Sequence, residues 1–180
     1  MPDPDFDEAA WRERLEAFRA EKDAHLADAE FSPVDGDFAG LTYFDPAPGA
    51  RRSARLQWVR SPETVRLPAN RGPDLEFERV ATLGFETDDH HVVTAYRAPE
   101  AEDLLVPFTD ETNGVETASE GRYLALSVDD AETGDRVALD FNFAYHPFSV
   151  YDDSYVSVLP PEENHLPMPI KAGERLRPDG

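Results

Sequence analysis

Between residues 54 and 141 apolar and polar side chains alternate with a period of two, and this constrains the fold more than any other feature of the chain. Ala54, Leu56 and Trp58 are interleaved with Arg55 and Gln57, and Leu75 and Phe77 with Glu76 and Glu78; Leu83 and Phe85 follow, then Val92, Thr94 and Tyr96. The pattern resumes at Leu104, Val106 and Phe108, at Leu124, Leu126 and Val128, and at Val137, Leu139 and Phe141. Successive strand residues point to opposite faces, so each run predicts a half-buried strand. Turn chemistry separates the runs at Ser61-Pro62, Asn70-Arg71-Gly72-Pro73, Thr87-Asp88-Asp89, Thr112-Asn113-Gly114 and Glu132-Thr133-Gly134-Asp135. About seven to nine short strands with a single good helix predict a mainly β fold, an antiparallel barrel or sandwich with one N-terminal α-helix.

That helix is expected over residues 5–30. Asp5 and Glu8 stand at capping-box spacing, Trp11, Leu15, Phe18 and Leu26 lie near one face, and Ser32-Pro33 ends it. Glu8 with Arg12, and Arg19 with Asp23, are expected as pairs on its wet side, and the mixed signs of its polar face favour packing on a sheet over lying on a membrane. The β core is placed at 38–142. Residues 143–180 are rich in proline but also carry Phe148, Tyr151, Tyr155, Leu159, Leu166 and Met168, which predicts an ordered extended segment pressed across the core. The whole of 1–180 is expected as one domain.

Charge then bears on the solvent. The chain has 38 acidic and 17 basic residues, a formal charge of −21, and Lys22 and Lys171 are its lysines. The acids are spread along the chain as a coat, and such a coat repels itself unless salt screens it; at roughly 1 M the Debye length is about 3 Å. A salt-adapted, soluble, cytoplasmic protein is therefore expected, one that loses native circular dichroism on dialysis from molar KCl. No clustered basic surface suits nucleic acid, with Arg51, Arg52 and Arg55 the densest group. No apolar run suits a membrane or a signal peptide. The absence of cysteine excludes disulfides, thiolate metal sites and cysteine nucleophiles.

Several polar groups inside these patterns are candidates for chemistry. Asp140 and Asn142 would share one face of a strand whose other face carries Leu139 and Phe141. Asp110 stands in a turn of short polar side chains, and Arg122 opens the next strand, where a hairpin could bring its guanidinium to Asp110 or Asp140. His146 and His165 flank the proline-rich segment near Glu163 and Asn164. No spacing matches a metal motif, so neither metal nor cofactor is expected. Ser149 and Ser157 lie near His146 without a nucleophile elbow, and the ten glycines never fall in a phosphate-cradling pattern.

At the same residues the chain resembles a bacterial and archaeal family known as domain of unknown function 1684. The resemblance runs through Phe18-Arg19 with Lys22-Asp23, Ser32-Pro33, Phe38 to Phe44, Phe108 to Leu124, Asp140 to Tyr145, Leu159 to Leu166 and Ala172-Gly173-Glu174. Where the family usually has Thr-Tyr-Gly this chain has Thr117-Ala118-Ser119, and where it often has Asn-Pro it has His146-Pro147. Two family cysteines correspond to Ser149 and Ser157, so any thiol role is absent here. The resemblance implies a set of suspect residues and no reaction.

Three functional readings follow. One is a small-molecule-binding protein whose polar pocket is built from Asp110, Arg122, Asp140, Asn142, His146, Glu163 and Asn164, with Arg122 anchoring an anionic group. The second is a hydrolase-like enzyme in which His146 acts as general base, oriented by Asp140 or Glu163. The third is a structural module in which the same groups stitch the proline-rich segment to the core. They separate on whether these side chains line a concavity or are buried against one another.

Overall fold

A computed structural model describes residues 6–27, 40–128 and 130–178. Its main element is an antiparallel sheet of six strands: β2 (Arg51–Leu67), β3 (Leu75–Glu86), β4 (His90–Arg97), β5 (Leu104–Phe108), β6 (Arg122–Leu126) and β7 (Arg136–Asp140). β2 to β6 follow one another as a meander, and β7 returns to the far side of β2, giving the order β6-β5-β4-β3-β2-β7. The sheet curls into a half-barrel whose edges, β6 and β7, do not pair. A second, two-stranded sheet joins β1 (Thr42–Tyr43) to β8 (Glu174–Arg175).

The alternation places two cores on opposite faces of the curled sheet. Inside lie Leu56, Leu83, Phe85, Val93, Ala95, Leu104, Val106, Phe108, Leu124 and Leu139. Tyr96, Leu105 and Tyr123, each next in sequence to an inside residue, belong to a second cluster with Leu67, Phe77 and Val158. The proline-rich segment covers that outer cluster, with Val158 bridged to Ala69 and the Leu159 N–H donating to the Pro68 carbonyl at 2.8 Å.

Three expectations about the strands are corrected. Ser61-Pro62 does not end a strand, because β2 runs on through a bulge in which residues 59–62 stand opposite Val80 alone. Proline offers no N–H to a ladder and is tolerated where the ladder is already broken. On β3 the register shift between Arg79 and Ala81 inverts the alternation, so Phe77 faces the outer cluster and Leu83 the inner one. The run Leu139 to Asn142 is not one strand either. β7 stops at Asp140, whose carboxylate accepts the Asn142 N–H at 3.0 Å and caps the 3-10 turn Phe141–Phe143.

The helix α1 (Glu8–Ala27) buries Trp11, Leu15 and Leu26. Its cap is Asp7, which accepts the Ala10 N–H at 3.1 Å; Asp5, residues 28–30, Ser32-Pro33 and the start of the expected core at 38 lie outside the described residues. The Glu8–Arg12 pair forms at 3.6 Å. Arg19 leaves the expected pair with Asp23. It is half-buried over the Tyr43 ring at 4.4 Å, while Asp23 accepts the Leu41 N–H at 3.0 Å, so each side chain fixes α1 to the strand β1 region. Phe18 packs edge-on to Phe143 at 5.0 Å. Among the described residues no helix is long and apolar enough to cross a membrane.

Candidate functional site

Asp110 and Arg122 meet inside the half-barrel. The hairpin β5–β6 sets Phe108 opposite Arg122, so the guanidinium reaches back to Asp110 at 2.9 Å with both side chains fully buried. Arg122 also donates to the carbonyls of Ala172, of Glu174 at 3.1 Å and of Ile170 at 2.9 Å. Burial pushes its pKa below the usual arginine value, and the Asp110 charge works against that shift. Asp110 in turn accepts the Thr112 N–H at 2.7 Å, which shapes the polar turn. Arg122 thus closes the 170–174 segment over the barrel and does not approach Asp140.

Asp140 and Asn142 form a separate fastening. Trp11 Nε1 donates to Asp140 at 2.7 Å, holding α1 to the end of β7. The Asn142 amide bonds both the N–H and the C=O of Ala47 at 2.8 Å, acting as a strand residue toward the loop before β2. Asn164 plays the same part between β4 and β5. These strands pair at Tyr96 and Leu105, and the next rung would need an N–H from Pro107, which has none. The Asn164 side chain fills that rung, accepting from Thr94 N–H at 2.7 Å and donating to the carbonyls of Thr94 and Pro107 at 2.9 and 2.8 Å. Glu163, by contrast, is exposed and accepts from the Tyr96 hydroxyl at 2.6 Å.

His146 is fully buried, and both of its ring nitrogens meet protein groups. The Ala118 N–H donates to Nε2 at 3.1 Å, so the ring proton sits on Nδ1 and faces Glu174 at 2.8 Å. Glu174 also accepts from Lys22 Nζ at 2.8 Å, from the His146 N–H at 3.2 Å and from the Tyr151 hydroxyl. Burial pushes the Glu174 carboxyl up, but the His146 hydrogen bond and the Lys22 charge outweigh it and hold the pKa below the usual value. Burial beside this carboxylate raises the Tyr151 phenol. Gly173 makes the arrangement reachable: its φ is +81°, and a Cβ there would stand 2.7 Å from the Phe141 carbonyl oxygen.

Among the described residues the seven expected side chains are therefore distributed among several fastenings. Ser149, considered as a nucleophile, donates to Glu120 at 2.8 Å, and His165 pairs with Thr109. Sequence reasoning missed Glu174 as the partner of His146, and Lys22 and Tyr151 beside it. The signal was the rarity of lysine: Lys22 is one of two in the chain, and only 15% of its side chain is exposed.

A concavity does lie beside these fastenings. It measures about 220 Å³ and opens between the Ala47–Ala50 loop and residues 168–171. Phe85, Phe141, Met168 and Ile170 form its apolar surface, and Arg52 and Lys171 stand on it as cations. Asn142 holds one wall through Ala47, while Arg122 holds the other through the Ile170 carbonyl.

Over residues 36–175 the chain matches the family described as protein of unknown function (DUF1684), and it belongs to that family. It is similar to an uncharacterised protein of Haloarcula marismortui, from gene locus rrnAC0354, whose solution NMR structure shares 39% identity over 94% of this chain and 96% of that one, with a TM-score of 0.75. No curated protein matches.

Proposed function

We propose that this protein binds a short anion with an apolar body in the concavity between Ala47–Ala50 and 168–171. The observation that carries the reading is the meeting of an aromatic and aliphatic surface, Phe85, Phe141, Met168 and Ile170, with the two cations Arg52 and Lys171. At the roughly 30 Å³ a water occupies in the liquid, the space suits a molecule of about seven heavy atoms. Asp110, Arg122, Asp140 and Asn142 then serve the site by holding its walls. Glu163 and Asn164 lie apart from it, and His146 offers no free lone pair for general-base work, since Nε2 accepts a backbone N–H.

The acidic coat and the relative from Haloarcula marismortui support a salt-adapted protein, so binding belongs in molar KCl. The test is a titration with straight-chain carboxylates of four to eight carbons in about 2 M KCl, followed by amide chemical shifts. Saturable shifts at Ala47–Ala50, Phe141 and Met168–Lys171, weakened about tenfold by Arg52→Gln, are expected. Shifts scattered over the surface, or none with any chain length, would overturn the reading.

A further inference from the structure

A second concavity, independent of the one above, lies on the outer face of the sheet, where no segment of the described chain covers it. It has a volume of about 350 Å³ and is lined by side chains of β2, β3, β4 and β7. Across its middle the register sets Arg55 of β2 directly opposite Arg136 of β7 on one side and Gly84 of β3 on the other. Gln57 and Thr82 form the next cross-strand pair along the same face. Both arginines are exposed, and neither makes an ion pair among the described residues.

Like charges directly opposite each other on neighbouring strands destabilise a sheet. In a chain with 38 acids and 17 bases a carboxylate partner for either arginine would be easy to supply, and the sheet does not supply one here. A charge that guards an open edge accounts for Arg136 on β7, but not for a second arginine placed opposite it, nor for the glycine beside them. Gly84 has no left-handed backbone to explain it. A Cβ there would meet the His90 ring at 3.3 Å, so the glycine leaves a floor open between the arginines and His90. Among the described residues the acid lining the groove is Glu86, and it is bonded to His90 at its end.

We propose that this groove binds a small hydroxylated phosphate monoester, with the phosphoryl group between Arg55 and Arg136 and the polyol body over Gly84, within reach of Gln57 and Thr82. Paired guanidinium forks match phosphate oxygens in geometry as well as in charge, and the bound dianion removes the repulsion between them. At the roughly 30 Å³ a water occupies in the liquid the volume holds about a dozen waters, enough room for a triose or pentose phosphate.

Glycerol 3-phosphate, ribose 5-phosphate, inorganic phosphate and sulfate are titrated at the KCl concentration where far-UV circular dichroism is native, with amide shifts as the readout. Saturable shifts centred on residues 55–57, 82–84 and 136 are expected. Arg55→Gln and Arg136→Gln should each weaken both phosphate esters at least tenfold, with melting temperatures equal to or above that of the unsubstituted chain. Thr82→Val should weaken the esters about threefold and leave inorganic phosphate unchanged, while Arg66→Gln, beyond the bulge of β2, should change nothing. Saturation that survives the Arg55→Gln, Arg136→Gln double variant would overturn the proposal. So would shifts mapping to the Lys171 concavity, or sulfate and the esters binding alike.

Discussion

The inside of the half-barrel and the open part of its outer face treat charge in opposite ways. Inside, Arg122 is fully buried and bonded to Asp110 and to backbone carbonyls, and Glu174 beside it is fully buried among donors from Lys22, His146 and Tyr151. Outside, Arg55 and Arg136 face each other across two strands in solvent without an ion pair among the described residues. Leaving a buried charge unpaired costs several kcal/mol, so the inner groups are committed to the fold. An exposed like-charge pair costs only a few tenths of a kcal/mol, which a ligand can repay when it binds. The buried charges are thus fasteners of the fold, whereas the exposed arginine pair is not committed to it.

The largest effect expected from this contrast is at Arg122. Arg122→Leu strands the Asp110 carboxylate and should cost about 3–5 kcal/mol in urea unfolding, whereas changing both to leucine should cost less than the single change. A single-variant cost below about 1 kcal/mol would break the contrast at its stronger end. Glu174→Gln should cost about 2–3 kcal/mol at pH 7, since it leaves Lys22 without its counter-charge. Because the folded pKa of Glu174 is depressed, the unfolded chain binds the proton more tightly, and the stabilisation is fully present above the unfolded value of about 4.3. It is lost as the pH falls through the folded pKa, so the stability gap to the Gln variant should narrow below about pH 4, measured by urea midpoints from pH 7 to pH 3.

Asn164→Ala should cost about 2 kcal/mol and speed hydrogen exchange at the Thr94 amide, which loses its acceptor. A Thr94 amide that remains protected would show that β4 and β5 close up without the side-chain rung. The smallest effect is at Arg136: Arg136→Gln should leave stability unchanged or raise it by up to about 0.5 kcal/mol, read from the melting temperature in molar KCl. A clear loss there would show that the outer pair is also a fastener.

The strands of the inner core were legible because alternation at Leu56, Leu83, Val106, Leu124 and Leu139 reports burial directly. The two faces were not, because a bulge of one residue on β3 inverts the pattern without changing the composition of the run. Pro62 reads as a turn in sequence, yet sits within a bulge that only the β2–β3 pairing defines. At the candidate site the polar residues were legible as a set, since short polar side chains in an apolar pattern must find partners. Their partition was not: Lys22 and Glu174 are 152 residues apart, and nothing local in the chain brings them together. Arg55 and Arg136 look unremarkable until the register of β2 with β7 puts them face to face.

The ties of α1 also set an order for biosynthesis. Trp11 meets Asp140 and Lys22 meets Glu174, so an emerging helix has no partner on the ribosome until most of the chain has followed it. During that interval Trp11, Leu15 and Leu26 lack the cover they have in the finished fold. The charged residues of both signs along the same helix, among them Glu8, Arg12, Glu13, Arg14, Glu16 and Glu21, keep the rest of the nascent segment polar until that cover arrives.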